Sequence, residues 1–282
     1  MTDTPLTRAS LEELLRFYAE SGVDEALEDA PVDRFAQTAT AAPPPAPAAL
    51  SPKAFEPPRL EAPVRPPAPA IAPSVPDEAQ AARARDAARS AASLDELKQI
   101  LAAFDGCNLK FTAKSLVFSD GNPAAPVMFV GEAPGREEDL EGLPFVGRSG
   151  QLLDRMLAAI GLDRTSVYIA NVIPWRPPGN RDPSPMETEI CRPFIERQID
   201  LVDPKVLVTL GNASTKALLR TQTGIMRLRG TWNNHTTGSG IEIPLMPTLH
   251  PAYLLRNPAH KKLAWRDFLE IKARLREFGA IS

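Results

Sequence analysis

The sequence predicts an α/β fold built on a parallel central sheet of four strands. Three observations carry this reading. Continuous apolar runs recur from residue 126 onward, amphipathic stretches at helical spacing separate them, and polar or glycine-rich residues gather where each apolar run ends. Strands that are apolar throughout, rather than alternating, are buried on both faces. That is the condition of a parallel sheet covered by helices.

Taken in order, residues 8–29 read as a helical arm, with Leu11, Leu14, Leu15 and Tyr18 on one side and Ser10 as its N-cap. The chain has 282 residues and 30 prolines, of which 13 lie between Ala41 and Pro76. Such Pro/Ala-rich composition cannot bury enough surface to pack and reads as disordered linker. The domain division is therefore an arm over 1–34, a linker over 35–78 and a folded domain over 79–282. The Ala/Arg-rich stretch 77–91 is partly helical. Ser93-Leu-Asp-Glu96 is a capping-box pattern ahead of Leu97, Ile100 and Leu101, which starts a helix running to about Phe104.

Pro126 to Gly131 is the first strand. Gln151 to Ile160 follows as a helix with Leu152, Leu153, Met156, Leu157 and Ile160 on one side. Val167 to Val172 is the second strand, and a helix extends from Met186 to about Val202. Lys205 to Gly211 is the third strand, followed by a helix through Leu219. Ile241 to Thr248 is the fourth, and Lys261 to Phe278 forms a basic helix.

Composition excludes several classes. The 2 cysteines rule out a disulfide scaffold and cannot alone form a four-thiolate zinc or iron–sulfur site. No apolar run reaches the length of a membrane span, and the N-terminus lacks a signal-peptide apolar core, so a soluble cytoplasmic protein is expected. The net charge of −3 is a cancellation: residues 205–282 carry 12 basic and 4 acidic side chains. That asymmetry points to a polyanion partner for the C-terminal third, with salt-sensitive binding through the cations between Lys261 and Arg276 where they meet phosphates.

In parallel α/β sheets, ligands bind beyond the carboxyl ends of the strands. Gly131-Glu-Ala-Pro-Gly135 and Leu143-Pro-Phe-Val-Gly147-Arg-Ser-Gly150 follow the first strand. Asn171 and Trp175-Arg-Pro-Pro-Gly-Asn-Arg-Asp182 follow the second, Gly211-Asn-Ala-Ser214 the third, and His250-Pro-Ala-Tyr-Leu-Leu-Arg256 the fourth. An asparagine offers a donor and an acceptor, enough to read one edge of a flat heterocycle. Phe145 can stack on its face, and His250 can donate to an oxygen gaining negative charge. The glycine turns suit phosphates, and Leu254-Leu255-Arg256 pairs an apolar wedge with a cation. Taken singly, each has a plainer reading: Phe145 as core, Asn171 as a turn cap, Glu137-Glu138-Asp139 as a solvated turn, and Cys191, in line with Ile195, Ile199 and Val202, as a buried small hydrophobe. His235 and His260 lack such context and read as surface residues.

Together, Gly131-Glu-Ala-Pro-Gly135, Pro144-Phe-Val-Gly147, Asn171, Arg176-Pro-Pro-Gly-Asn-Arg181 and His250-Pro-Ala-Tyr-Leu-Leu255 resemble the family 4 uracil-DNA glycosylases over about residues 94–276. The resemblance implies a three-layer α/β/α domain that flips uracil out of single- or double-stranded DNA and hydrolyses its N-glycosidic bond. It implies that Phe145 stacks on uracil, that Asn171 reads its polar edge, and that His250 lies near the O2 atom, with Gly131 and Ala133 completing the base pocket. Gly147, Ser149, Asn180, Arg181, Ser214, Leu254, Leu255 and Arg256 would meet DNA. Other uracil-glycosylase families often place an aspartate where this chain has Ala133, which leaves Glu132 and Glu138 as candidates to handle water.

Most members of that family hold a four-iron–four-sulfur cluster with four cysteines. The resemblance aligns those positions with Phe104, Cys107, Trp175 and Cys191, so two ligands are replaced by aromatics and no cofactor is expected. A weak or inactive nucleic-acid-binding protein of the same fold is the alternative, since Ala133 leaves no obvious base. The arm reads as a docking peptide for a protein partner, compatible with either function, on an otherwise monomeric chain. A glycosylase that bonds covalently to DNA through a loop histidine is disfavoured, because the loop after Trp175 contains none.

Overall fold

The structure, a computed structural model, describes residues 77–281. The expectations for the arm and for the linker up to residue 76 lie outside the described residues.

Three helices open the described chain: α1 (Asp77–Ser90), α2 (Leu94–Ala103) and the single turn α3 (Leu109–Thr112). The cap of α2 forms as its spacing demands. The Ser93 hydroxyl accepts the Glu96 N–H at 3.2 Å, and the Glu96 carboxylate accepts the Ala92 N–H at 2.7 Å. The first bond meets a donor that the helix start leaves open, while the second reaches one residue past the N-cap that a capping box would bond.

The sheet has six strands: β1 (Asp120–Gly121), β2 (Val127–Gly131), β3 (Tyr168–Asn171), β4 (Val206–Leu210), β5 (Asn233–Thr236) and β6 (Glu242–Thr248). Their order is β1-β3-β2-β4-β6-β5. The inner four are parallel and match the four apolar runs, while β1 and β5 pair antiparallel at the edges. The two extra strands correct the four-stranded expectation. Neither carries an apolar run, because an edge strand needs no second buried face. On β5 only His235 turns inward, 4 % exposed, with its ring Nδ1 at 3.3 Å from the Leu218 carbonyl. Reading His235 as a surface residue was wrong for that reason: strand alternation buries it within a polar segment.

Helices cover both faces of the sheet. Besides α1–α3 they are α4 (Arg136–Glu141), α5 (Arg148–Ala159), α6 (Pro185–Val202), α7 (Asn212–Leu219), α8 (Ile225–Leu228), α9 (Pro251–Arg256) and α10 (Lys261–Glu277). Successive residues of β2 face opposite layers. Val127 and Phe129 pack with Leu153 and Leu157 of α5 and with Phe268 and Ile271 of α10. Met128 and Val130 pack with Leu97 of α2, Ile195 of α6 and Leu218 of α7. This is a three-layer α/β/α sandwich. The chain leaves β2 for β3 on one side and leaves β4 for β6 on the other. The connections therefore part above the carboxyl ends of β2 and β4, where such sheets bind ligands.

One buried ionic cluster fixes the far side of that crevice. Asp267 of α10, 1 % exposed, bonds the Arg229 guanidinium and accepts the Thr248 hydroxyl at 2.6 Å. Thr248 ends β6, two residues before His250. Removing one member of a buried pair leaves the other charge unmet. Asp267→Ala is expected to lower the unfolding free energy by about 3–5 kcal/mol, read from chemical denaturation; an unchanged midpoint would refute this role.

Candidate functional site

The carboxyl ends of β2, β3, β4 and β6 surround a cavity of about 520 Å³. Its floor is set by close approach. A Cβ on Gly131 would lie 2.4 Å from the Asn171 Oδ1 and 2.5 Å from the Phe145 Cζ. Only glycine lets the last residue of β2 admit both side chains. Asn171 ends β3 in register with Gly131. It is 6 % exposed, and its Oδ1 is sealed from solvent without a hydrogen-bond partner. An unpaired buried acceptor costs stability, so this oxygen is poised for a donor that the protein itself does not supply.

His250 lines the opposite wall as the N-cap of α9. Its Nδ1 accepts the Ala252 N–H at 3.1 Å, which leaves the proton on Nε2. Desolvation lowers its pKa to about 4, and the neighbouring Arg256 charge adds to the effect. The ring is thus a neutral donor at physiological pH. It lies 5.5 Å from the Phe145 ring at an interplanar angle of 30°. Phe145 is 4 % exposed, and its backbone is left-handed, with φ of +55°.

Glu132, the first residue past β2, lines the cavity with Ala133. Burial pushes its carboxyl above the ordinary value, and the Asp182 carboxylate pushes it further. Glu138 also borders the cavity, but both its oxygens are engaged. Oε2 accepts the Gly135 N–H and Oε1 accepts the Gly147 N–H, each at 3.0 Å. It joins the loop after β2 to the start of α5 and so braces the cavity wall. The acidic turn is solvated only at Glu137: Glu138 and Asp139 are 7 % and 6 % exposed, and Asp139 accepts the backbone N–H groups of Lys114 and Ser115.

The residues expected to meet DNA divide. Ser149, Asn180, Arg181 and Arg256 line the cavity. Asn180 accepts from Arg176 at 2.7 Å within the loop after Trp175, and Arg181 pairs with Glu187 at 2.6 Å, which ties that loop to the start of α6. Gly147 is the N-cap of α5. Ser214 is fully buried, and its hydroxyl donates to the Leu210 carbonyl at 3.0 Å, which removes it from any DNA surface. Leu254 is 1 % exposed among Leu152, Leu249 and Ala264 and cannot act as a wedge. Leu255 is half-buried and Arg256 exposed. The helical turn of α9 explains the split, because consecutive residues cannot all face outward.

Asn212, Ile225, Met226 and Tyr253 also line the cavity and were not among the expected site residues. Met226, 53 % exposed on α8, had no strand-end position to single it out. Asn212 and Tyr253 lie inside motifs already noted, where only the three-dimensional turn distinguishes a lining residue from its neighbours.

The four positions aligned with iron ligands come together in the layer of α2 and α6. Cys107 and Cys191 are buried, with their sulfurs 3.7 Å apart. The Cys191 thiol donates to the Cys107 sulfur, which lowers the Cys107 pKa and raises that of Cys191. Phe104 and Trp175 are also buried in this cluster, and Phe104 meets Phe194 edge-on at 5.1 Å. Two thiols in mutual contact, flanked by aromatic volume, do not fit a four-thiolate cluster. Among the described residues, no group of three or more His, Cys, Asp and Glu side chains is placed to hold a metal ion. Nor is any described helix long and apolar enough to cross a membrane.

Comparison with known proteins follows the same lines. Residues 118–269 match the family model described as the Uracil DNA glycosylase superfamily. The type-4 uracil-DNA glycosylase of Sulfurisphaera tokodaii is 42 % identical over 188 residues, 64 % of this chain and 84 % of the relative. That of Archaeoglobus fulgidus is 39 % identical over 183 residues, 64 % of this chain and 92 % of the relative. That of Thermotoga maritima is 36 % identical over 176 residues, 61 % of this chain and 90 % of the relative.

The His250 environment has a direct readout. Its ring protons are expected to titrate with a midpoint of about 4 in NMR spectra of the folded protein, against the ordinary 6.5. The unfolded chain takes up this proton first on acidification. The group therefore withdraws stability as pH falls through 6.5 towards 4. A midpoint near 6.5 would show that the imidazole is not held neutral.

Proposed function

The chain belongs to the uracil DNA glycosylase superfamily, and from that premise we propose that it is a DNA-repair hydrolase that removes uracil from DNA and leaves an abasic site. The observation that carries the reading is the unpartnered Asn171 Oδ1, buried beside the Phe145 ring and facing the cavity that His250 closes. Uracil presents an N–H next to a carbonyl on its pairing edge, whereas cytosine presents the reverse. A buried acceptor that would be left unmet by cytosine discriminates strongly.

In this proposal the base leaves its stack and enters the cavity. Phe145 lies on its face, and Asn171 accepts the N3 proton while donating to O4. The N1–C1′ bond breaks with its electron pair going to the base. Negative charge spreads onto O2, where the neutral His250 Nε2–H donates without transferring its proton. The sugar, now cationic, takes up water at C1′. Glu132 is assigned to orient that water, which passes its proton to the surroundings. Exposed Arg256, together with Lys261, Lys262 and Arg266 of α10, would hold phosphates. Catalysis is assigned to residues 79–282, acting as a cytoplasmic monomer, and residues 1–34 to docking a protein partner.

The Cys107–Cys191 contact supports a protein without an iron–sulfur cluster, its former volume taken by Phe104 and Trp175. The purified protein is expected to be colourless; stoichiometric iron with cluster absorbance would overturn this.

The decisive assay is incubation with uracil-containing DNA followed by alkali. The full chain, and a chain that starts at residue 77, are expected to give breaks at uracil. His250→Ala should lose about 100-fold or more of the single-turnover rate, as when one oxyanion donor is removed. Uracil binding without breaks by the full chain would favour the alternative of an inactive binding protein.

A further inference from the structure

The left-handed backbone of Phe145, with φ of +55°, is unusual for a residue with a side chain and is strained. Something must hold it. On one side of its carbonyl oxygen lies Gly150 in the first turn of α5, so close that a Cβ there would sit 1.6 Å from that oxygen. On the other side lies Arg164, in the turn between α5 and β3. Its NH2 donates to the Phe145 carbonyl and its NH1 to the Pro144 carbonyl at 3.2 Å. The guanidinium is itself held by two carboxylates, Asp120 at 2.5 Å through NH1 and Asp154 at 2.9 Å through Nε. Asp120 belongs to β1, the two-residue edge strand. Arg164, Asp120 and Asp154 do not line the cavity.

We propose that Arg164 is a positioning residue for uracil recognition, acting through Phe145: its two-carbonyl grip fixes the strained peptide that aims the ring at the base. The inference rests on the proposed function for the identity of the base. It assigns β1 a purpose, since that strand supplies one of the two carboxylates that aim the guanidinium. A fork of five donors can serve two carbonyls and two carboxylates together, whereas a lysine ammonium offers a single point of charge. Charge and aim can thus be separated by substitution.

The test compares the wild type with Arg164→Met, Arg164→Lys, Phe145→Ala and the double variant Phe145→Ala/Arg164→Met. The readouts are single-turnover excision, inhibition by free uracil, thermal midpoint, and amide exchange across residues 143–151. Arg164→Met is expected to raise the uracil inhibition constant about tenfold, the scale of losing one aromatic–base stack. It should slow excision up to about 100-fold, as a misplaced contact does. Arg164→Lys should recover the thermal midpoint but neither the inhibition constant nor the rate, an outcome a merely structural arginine would not give. In the Phe145→Ala background, Arg164→Met should add less than about twofold, because its effect passes through the ring.

Additive effects, or full rescue of uracil inhibition by lysine, would overturn the inference. So would unchanged amide exchange in Arg164→Met, which reads the seat of Phe145 whether or not the protein cuts uracil from DNA. A wild type that fails to excise would overturn the proposed function, while the exchange data still decide the role of Arg164.

Discussion

The parting of the crossover connections above β2 and β4 is the constraint on which the rest of this structure depends. Parallel strands need long connections, and right-handed crossovers place each one on a defined face. With β3 and β6 on opposite sides of the β2–β4 pair, those connections leave the middle of the sheet edge uncovered. Backbone at the carboxyl ends is therefore free to bend over a cavity. Gly131, Asn171, Gly211 and His250 come from four separate stretches of sequence and meet because the sheet opens only there.

An opening of this kind does not by itself hold loops in place, and the molecule does so with buried and half-buried charge. Glu138 bonds the Gly135 and Gly147 amides, Arg164 holds the Pro144 and Phe145 carbonyls, and Asp267 ties Arg229 to Thr248 near His250. Each charged group serves backbone or hydroxyl partners that a loop would otherwise present to water. Charge-assisted bonds are stronger than neutral ones, and desolvation penalises any rearrangement that leaves a charge unmet. The cavity can then keep the Asn171 Oδ1 without a partner and the His250 ring neutral, which is a cost that its walls sustain.

The sequence made the parallel core legible because Val127–Val130, Ile169–Ala170, Val206–Leu210 and Leu245–Met246 are apolar on both faces, and only a sheet covered twice requires that. It hid β1 and β5, whose polar residues obey edge rules. At the site it exposed the residues whose chemistry is rare at a strand end, His250, Asn171 and the glycine turns. It misjudged those whose role depends on which way a helix turn points. Leu254 and Leu255 are neighbours in a motif, yet one is sealed in a cluster and the other is half-buried. Glu138 was visible as an acid and not as a brace, since its two amide partners are 3 and 9 residues away along the chain. Arg164 carried no signal, because its importance lies in four acceptors brought from β1, α5 and the loop before it.

The sulfur pair sits where four separate segments of the chain share one buried volume. Phe104, Cys107, Trp175 and Cys191 come from the end of α2, the turn before α3, the loop after β3 and the middle of α6, and all are buried in the same layer. A four-thiolate cluster would join such segments by metal–sulfur bonds. Here they are joined by contact between aromatic rings, two touching sulfurs and the surrounding Ile190, Phe194 and Ile195. Apolar burial yields roughly 25 cal/mol per Å², and an aromatic side chain brings on the order of 150–250 Å². Burial of Trp175, at the head of the Arg176–Asp182 loop, therefore contributes on the order of several kcal/mol to seating that loop, and Phe104 likewise seats the end of α2 on α6. That loop supplies Asn180 and Arg181 to the cavity rim. The rim is thus held by packing together with the Arg181–Glu187 ion pair, while the cavity wall of Asn171 and His250 stands on the strand ends.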